Sequence, residues 1–229
     1  MRGDLNEATG LWGPPPAREA VSAVVYRRLR EAIRRGGLAA GVRINELELA
    51  RAWQISRTPI RDALRRLEAE GLVESLPGRG VIVPRLSPED AQDLYDLLEA
   101  LEGLAARRAA ARATAGDLAH LNSLIKAYGT ALRESAYERA AAAGTEIHHS
   151  LARAAQSRRL ERAVENARVP LEGLELRTPR RGRATKSLRE LAKVTAAIRA
   201  RDGGRAEAAM REHIASLRGD ALAALTAES

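Results

Sequence analysis

A mainly α-helical protein in two unequal parts is predicted by three features of this sequence. A cationic amphipathic stretch at residues 56–67 lies between a short helical pattern and two β-prone runs. From residue 89 onward apolar residues recur at three- and four-residue spacing, with no alternating strand pattern. Alanine and leucine dominate, and phenylalanine is absent, a composition that favours helix. The expected architecture is an N-terminal helix-turn-helix unit carrying a small β-hairpin, followed by an all-α helical bundle.

In chain order, residues 1–19 contain Gly13-Pro14-Pro15-Pro16 and no periodic apolar face, and read as a flexible arm. Val21 to Arg35 sets Val21, Val24, Val25, Leu29 and Ile33 on one stripe, and Gly36-Gly37 stops that helix. Gly41-Val42-Arg43-Ile44 reads as a short strand pairing with the hairpin. Glu46 to Trp53 is a second, short helix, and Gln54-Ile55 leaves room only for a tight turn. Ser56 then suits an N-cap and Pro59 falls within the first turn, where its missing N–H costs nothing. Ile60, Ala63, Leu64 and Leu67 form the buried stripe of this third helix. Arg57, Arg61 and Arg65 stand four apart on the other side with Thr58 beside them, so guanidinium forks line the helix start. Such a row suits the major groove, where an α-helix fits and Arg reaches guanine O6 and N7 bidentately; taken alone, it also fits an ordinary solvated face. After Glu70-Gly71 come Leu72 to Leu76 and Val81 to Val83, two short runs around Pro77-Gly78-Arg79-Gly80. A hairpin tipped by Gly-Arg-Gly is a wing, and residues 20–84 read as one winged helix-turn-helix domain.

Ser56 to Val73, followed by Pro77-Gly78-Arg79-Gly80-Val81-Ile82-Val83, resembles the winged helix-turn-helix of the GntR family of bacterial transcription regulators. The resemblance implies a homodimer on a pseudo-palindromic double-stranded DNA operator. It places Ser56, Arg57, Thr58, Arg61 and Arg65 at the DNA from the recognition helix, and Gly78 and Arg79 at the adjoining minor groove. A basic residue is frequent in the family where this chain has Leu47, so one phosphate contact is expected to be missing.

A linker at 85–88 leads to the second part. Ser87-Pro88-Glu89-Asp90 combines an N-cap, a proline at N1 and a carboxylate at N3, and announces a helix. Leu94, Leu97, Leu98, Leu101 and Leu104 give it a long stripe. Further stripes run through Leu118 to Leu132, Ala140 to Ala154, Leu160 and Val164 with Leu171 and Leu174 beyond Pro170, Leu188 to Ile198, and Ala206 to Leu217. Six or seven amphipathic helices make residues 89–226 a bundle suited to dimerisation. Arg177-Thr178-Pro179-Arg180-Arg181-Gly182-Arg183 reads as a solvated inter-helix loop, with DNA contact as the alternative.

Residues 88–225 resemble, through weaker motifs, the ligand-binding domain of the FadR-type branch of the family. Ile147-His148 and the closing segment from Arg201 to His213 carry the likeness, with Asp202 as N-cap of the last helix. Many members hold a divalent metal through an Asp and three His, and the metal helps hold a small carboxylate. Carried over residue by residue, the Asp is here Gly144, one His is Leu191, and a basic residue often found on the first bundle helix is Leu98; His148 and His213 remain. Two imidazoles leave a Zn or Ni site incomplete, so no metal cofactor is expected. The expected pocket is small and mostly apolar, marked by Leu98, Gly144, His148, Leu191 and His213. His213 reads first as a hydrogen-bonded core histidine, and His149 is expected to point away from the core. Glu146 lies about 160° around the helix from His148 and does not replace the missing carboxylate.

Charge and composition agree with this division. Residues 1–86 hold fifteen Arg, no Lys and ten acidic residues, a net of +5 out of +8, which leaves +3 for the rest. The excess sits in the smaller, DNA-facing part. Cysteine is absent, so neither a disulfide framework nor thiolate chemistry is available, and no apolar run approaches a membrane span. A cytoplasmic protein without membrane partners is expected. A metal-dependent enzyme using His148, His149 and His213 is disfavoured, since there is no His/Glu pair at metalloprotease spacing, Gly-rich phosphate loop or nucleophile setting. A DNA-binding architectural protein whose bundle only dimerises and binds no effector remains the main alternative to a regulator controlled by a small organic acid.

Overall fold

The structure is a computed structural model that describes residues 21–76, 80–177 and 181–227. The arm at 1–19 and the wing-tip residues Gly78 and Arg79 lie outside the described residues.

The N-terminal unit holds α1 (Val21–Arg34), β1 (Arg43–Ile44), α2 (Glu46–Trp53), α3 (Arg57–Ala69), β2 (Glu74–Leu76) and β3 (Gly80–Ile82). The strands form an antiparallel sheet in the order β1-β3-β2, with Arg43 opposite Ile82 and Ser75 opposite Val81. Asn45 caps α2 by accepting from the Leu47 and Glu48 amides, and Gln54 closes that helix in the left-handed region at φ 52°, which turns the chain sharply into α3. Gly71 stops α3 at φ +71°, a backbone that a Cβ would strain. Val25, Leu29 and Ile33 of α1 meet Ile60, Ala63, Leu64 and Leu67 of α3, with Ile44 and Val81 of the sheet beneath them. Tyr26 adds a tie between the same helices: its hydroxyl donates to Glu70 at 2.6 Å, and Arg66 lies 4.0 Å over its ring.

After the irregular segment 83–87 come six helices: α4 (Pro88–Arg112), α5 (Ala115–Arg133), α6 (Tyr137–Ala154), α7 (Arg158–Arg177), α8 (Arg181–Arg199) and α9 (Gly203–Ala227). Ser87 and Asp90 form a reciprocal capping box at the start of α4, and Thr114 and Asp117 form a second at α5; both satisfy orphan helix-end donors. Asp202 caps α9 by accepting from the Arg205 amide at 2.9 Å. The two longest helices, α4 and α9, pack along each other. Helix α7 runs through Pro170 without ending. The segment read from sequence as a solvated loop at 177–183 is instead partly helical, with α8 beginning at Arg181.

The bundle and the winged unit share a contact that apolar periodicity alone does not reveal. Val169 of α7 is fully buried, and it belongs to the core of the winged unit rather than to that of the bundle. Arg30 of α1 donates to Asn166 at 3.2 Å and Arg34 donates to Glu172 at 3.4 Å.

Candidate functional site

The first surface is the start of α3. Ser56 occupies the N-cap position with extended backbone but makes no side-chain cap hydrogen bond. Arg57, Thr58, Arg61 and Arg65 are all exposed, because the apolar stripe at Ile60, Ala63, Leu64 and Leu67 claims the opposite side. Sequence reasoning missed their partner. Glu46, at the first position of α2, accepts from Arg57 Nη2 at 3.0 Å and from Arg61 Nε at 2.8 Å through one oxygen. Burial pulls the Glu46 pKa up, but the hydrogen bonds from Arg61 and Arg57 outweigh it and hold the carboxyl below its ordinary value. The signal for this contact was present: a helix-turn-helix brings the first residue of one helix beside the first turns of the next. Leu47, where a basic residue is frequent in the family, is 43% exposed.

The second feature is a cavity of about 550 Å³ inside the bundle, a size suited to a small organic molecule. Three of the four tyrosines of the chain, Tyr95, Tyr128 and Tyr137, line it. Gly144, His148, Leu191 and His213 also stand in its wall. Leu98 does not; it is fully buried in the bundle core, because the register of α4 turns Tyr95 rather than Leu98 toward the opening. The lining is mostly apolar, and Arg168, Arg183, Lys186, Ser187 and Asp220 add polar groups that the sequence reading did not place there. Arg183, read from sequence as part of a solvated loop, turns into the bundle and donates to Ser187, Ser216, Asp220 and Glu190 at 3.1, 2.7, 2.7 and 2.8 Å.

His148 and His213 stack with ring centroids 5.1 Å apart, and their Nε2 atoms are 3.2 Å apart. Each Nδ1 meets a carboxylate: His148 with Glu102 at 2.5 Å, His213 with Glu190 at 2.7 Å. Burial lowers the pKa of both imidazoles, that of His148 to about 4. Glu102 is buried, which alone would raise its pKa, yet His148 and Arg168 hold it well below the usual carboxylate range. Three contacts along Glu102, His148, His213 and Glu190 need three protons, and two neutral imidazoles bring only two. The Nε2 edges therefore have room for one further proton or donor.

The family resemblance raises a divalent metal here, and the residues do not fit one. Gly144 brings no ligand, and a Cβ at that position would stand 3.2 Å from Tyr128 Cε1, so the tyrosine ring occupies the space of the missing side chain. Leu191 is an apolar wall residue. Glu146 is turned to the surface, held by Arg153 and Ser150. Among the described residues no group of three or more His, Cys, Asp or Glu could hold a metal ion, and two neutral imidazoles do not offset a buried dication. His149, expected to point away from the core, faces α7 instead and meets the buried Glu172 at 2.9 Å.

A recognition helix left open to solvent beside a hairpin, continued into a bundle with an internal cavity, is the build of a DNA-binding transcription regulator. Among the described residues, no helix is long and apolar enough to cross a membrane. The chain belongs to the GntR family: residues 21–83 match the bacterial regulatory proteins of the gntR family, and residues 93–216 match the FCD domain. An HTH-type transcriptional regulator from the TAR-I ttuE-ttuC' intergenic region of Agrobacterium vitis is 37% identical over 143 residues, which is 62% of this chain and 78% of that protein. In fold the chain is similar to McbR/YncC of E. coli, with TM-score 0.77, 20% identity, and 92% of this chain and 99% of that one covered. A GntR regulator from Rhodococcus sp. RHA1 gives TM-score 0.75 at 20% identity, covering 90% of this chain and 99% of that one.

Proposed function

We propose that this regulator binds its operator as a homodimer in the cytoplasm and that a small organic anion, a carboxylate, occupies the bundle cavity without a resident metal and changes operator affinity. The observation that carries the effector reading is the cavity itself. Its 550 Å³ are lined by three tyrosines and by the cationic Arg168, Arg183 and Lys186 against one carboxylate, Asp220, an excess of positive charge that suits a bound carboxylate. An architectural protein that only dimerises has no use for such a lining. The dimer reading is supported by α4, where Leu97 and Leu104 are 50% and 37% exposed and the half-buried Leu94 and Leu101 continue the same stripe. A second copy presenting the same stripe would cover it, and two winged units then meet two half-sites.

Thermal unfolding with a panel of small mono- and dicarboxylic acids, with and without EDTA, tests the effector reading, because only a ligand of the folded state raises the midpoint. A rise with one acid class that EDTA leaves unchanged is the expected result. No rise with any acid, or a rise that EDTA abolishes, would contradict it.

A further inference from the structure

Helix α7 touches both parts of the protein with neighbouring residues. Arg168 is 1% exposed, lines the cavity and donates to Glu102 Oε1 at 2.6 Å. Val169, next in the chain, is buried in the winged-unit core. Glu172, one turn further, is 1% exposed. Its Oε1 meets His149 Nε2 at 2.9 Å and lies 3.7 Å from Arg168 Nε, and its Oε2 accepts from Arg34 Nη1 of α1 at 3.4 Å. Among the described residues, Arg168 and Glu172 thus form a short path between the cavity and the helix that packs on the recognition helix.

Stability alone does not explain this row. Burying charged groups costs desolvation that an apolar contact between the same helices avoids, and Val169 already supplies such a contact. Pro170 adds a soft point: it has no N–H to give the Asn166 carbonyl, so α7 lacks one rung where the two parts meet.

We propose that Arg168 and Glu172 transmit the state of the cavity to the winged unit, with Glu172, held between Arg168 and His149 on one side and Arg34 on the other, shifting toward Arg34 when Arg168 is drawn away. Resting on the reading of the cavity as an anion site, the mechanism is a competition. An anion draws the Arg168 guanidinium toward the cavity, and Glu172 turns its charge to Arg34. Arg34 is bound through its other two nitrogens to Glu31 of α1 at 2.6 and 2.7 Å, so a pull on it shifts α1. Helix α1 shares the core and the Tyr26–Glu70 hydrogen bond with α3, and the recognition helix moves with it.

The test needs no identified ligand. In the full chain, Leu191→Phe and Ala221→Leu each fill part of the cavity, and operator DNA selected from a random pool reports affinity by fluorescence anisotropy. Each filler should change affinity about fivefold or more in the wild-type background. In Glu172→Gln and in Arg34→Gln backgrounds the same fillers should change it less than about twofold. Circular dichroism and melting curves verify folding, and the two fillers and two relay variants allow the cycle to be read with any folded pair. Filler effects that persist undiminished in the relay backgrounds, or fillers without effect in the wild type, would overturn the proposal. Failure of the effector reading looks different: no carboxylate stabilises the protein, while the mutational coupling between cavity and operator affinity remains.

Discussion

Replacing Glu46 by Gln should make this protein bind DNA more tightly and less selectively. Glu46 holds Arg57 and Arg61, whose side chains are 51% and 52% exposed, so its loss should change folding stability by no more than about 1 kcal/mol. At the DNA the effect is larger. Arg61 spends its Nε on Glu46 at 2.8 Å, which fixes the guanidinium plane and leaves the two terminal nitrogens to a base. A bidentate contact of that kind discriminates by about 1–3 kcal/mol, and part of this rests on the fixed plane. Without the carboxylate, the interface gains one net positive charge and two mobile guanidinium groups, which phosphates of any sequence can take. The log–log salt slope should steepen by about 0.9 for one further phosphate contact. Anisotropy titrations at four salt concentrations, on the selected site and on a scrambled one, measure both quantities. Equal affinity for the two proteins on both DNAs, with an unchanged slope, would refute the claim that Glu46 orients the reading face.

Three other predictions follow from the same geometry. Arg61→Ala should lose about 1–3 kcal/mol on the selected site and relax preference at one base pair per half-site; unchanged selectivity in a binding-site competition would remove α3 from the groove. Stability should fall on acidification between pH 6.5 and about 4, because burial lowers the His148 pKa from 6.5 to about 4 and the unfolded chain binds the proton first. The loss is on the order of 3 kcal/mol, and melting midpoints of His148→Gln should be flatter over that window than those of the wild type. Leu97→Asp with Leu104→Asp should convert the full chain from dimer to monomer by light scattering and weaken operator binding; a dimer that survives both changes would move the interface off α4.

The winged unit was legible in the sequence because its signals are local. A tight turn, a glycine stop and a three-and-four stripe at Ile60, Ala63, Leu64 and Leu67 determine its helices within a few residues, and the two strands of the hairpin follow. The cavity was only half legible. Gly144, His148, Leu191 and His213 came from the family pattern, whereas Leu98 belongs to the core. The polar residues of the lining are separated widely in sequence and meet only when the bundle helices close, so no spacing rule points to Arg168 or Asp220. One compositional clue was available. In a chain without phenylalanine, three tyrosines in the bundle are conspicuous, and all three line the cavity. The missing ligand at Gly144 was visible as a letter, but the Tyr128 ring that fills its space is a tertiary fact. Arg183 looked like loop charge because Pro and Gly surround it, and the start of α8 turns it inward.

The link between cavity and operator is tested most directly by titrating selected operator DNA with the protein at fixed EDTA, in the presence and absence of each acid that raises the melting midpoint. Operator affinity should shift about fivefold or more with such an acid, and the shift should be lost in Leu191→Phe, whose cavity is already partly filled. An acid that stabilises the protein yet leaves operator affinity unchanged would show a cavity that binds without regulating.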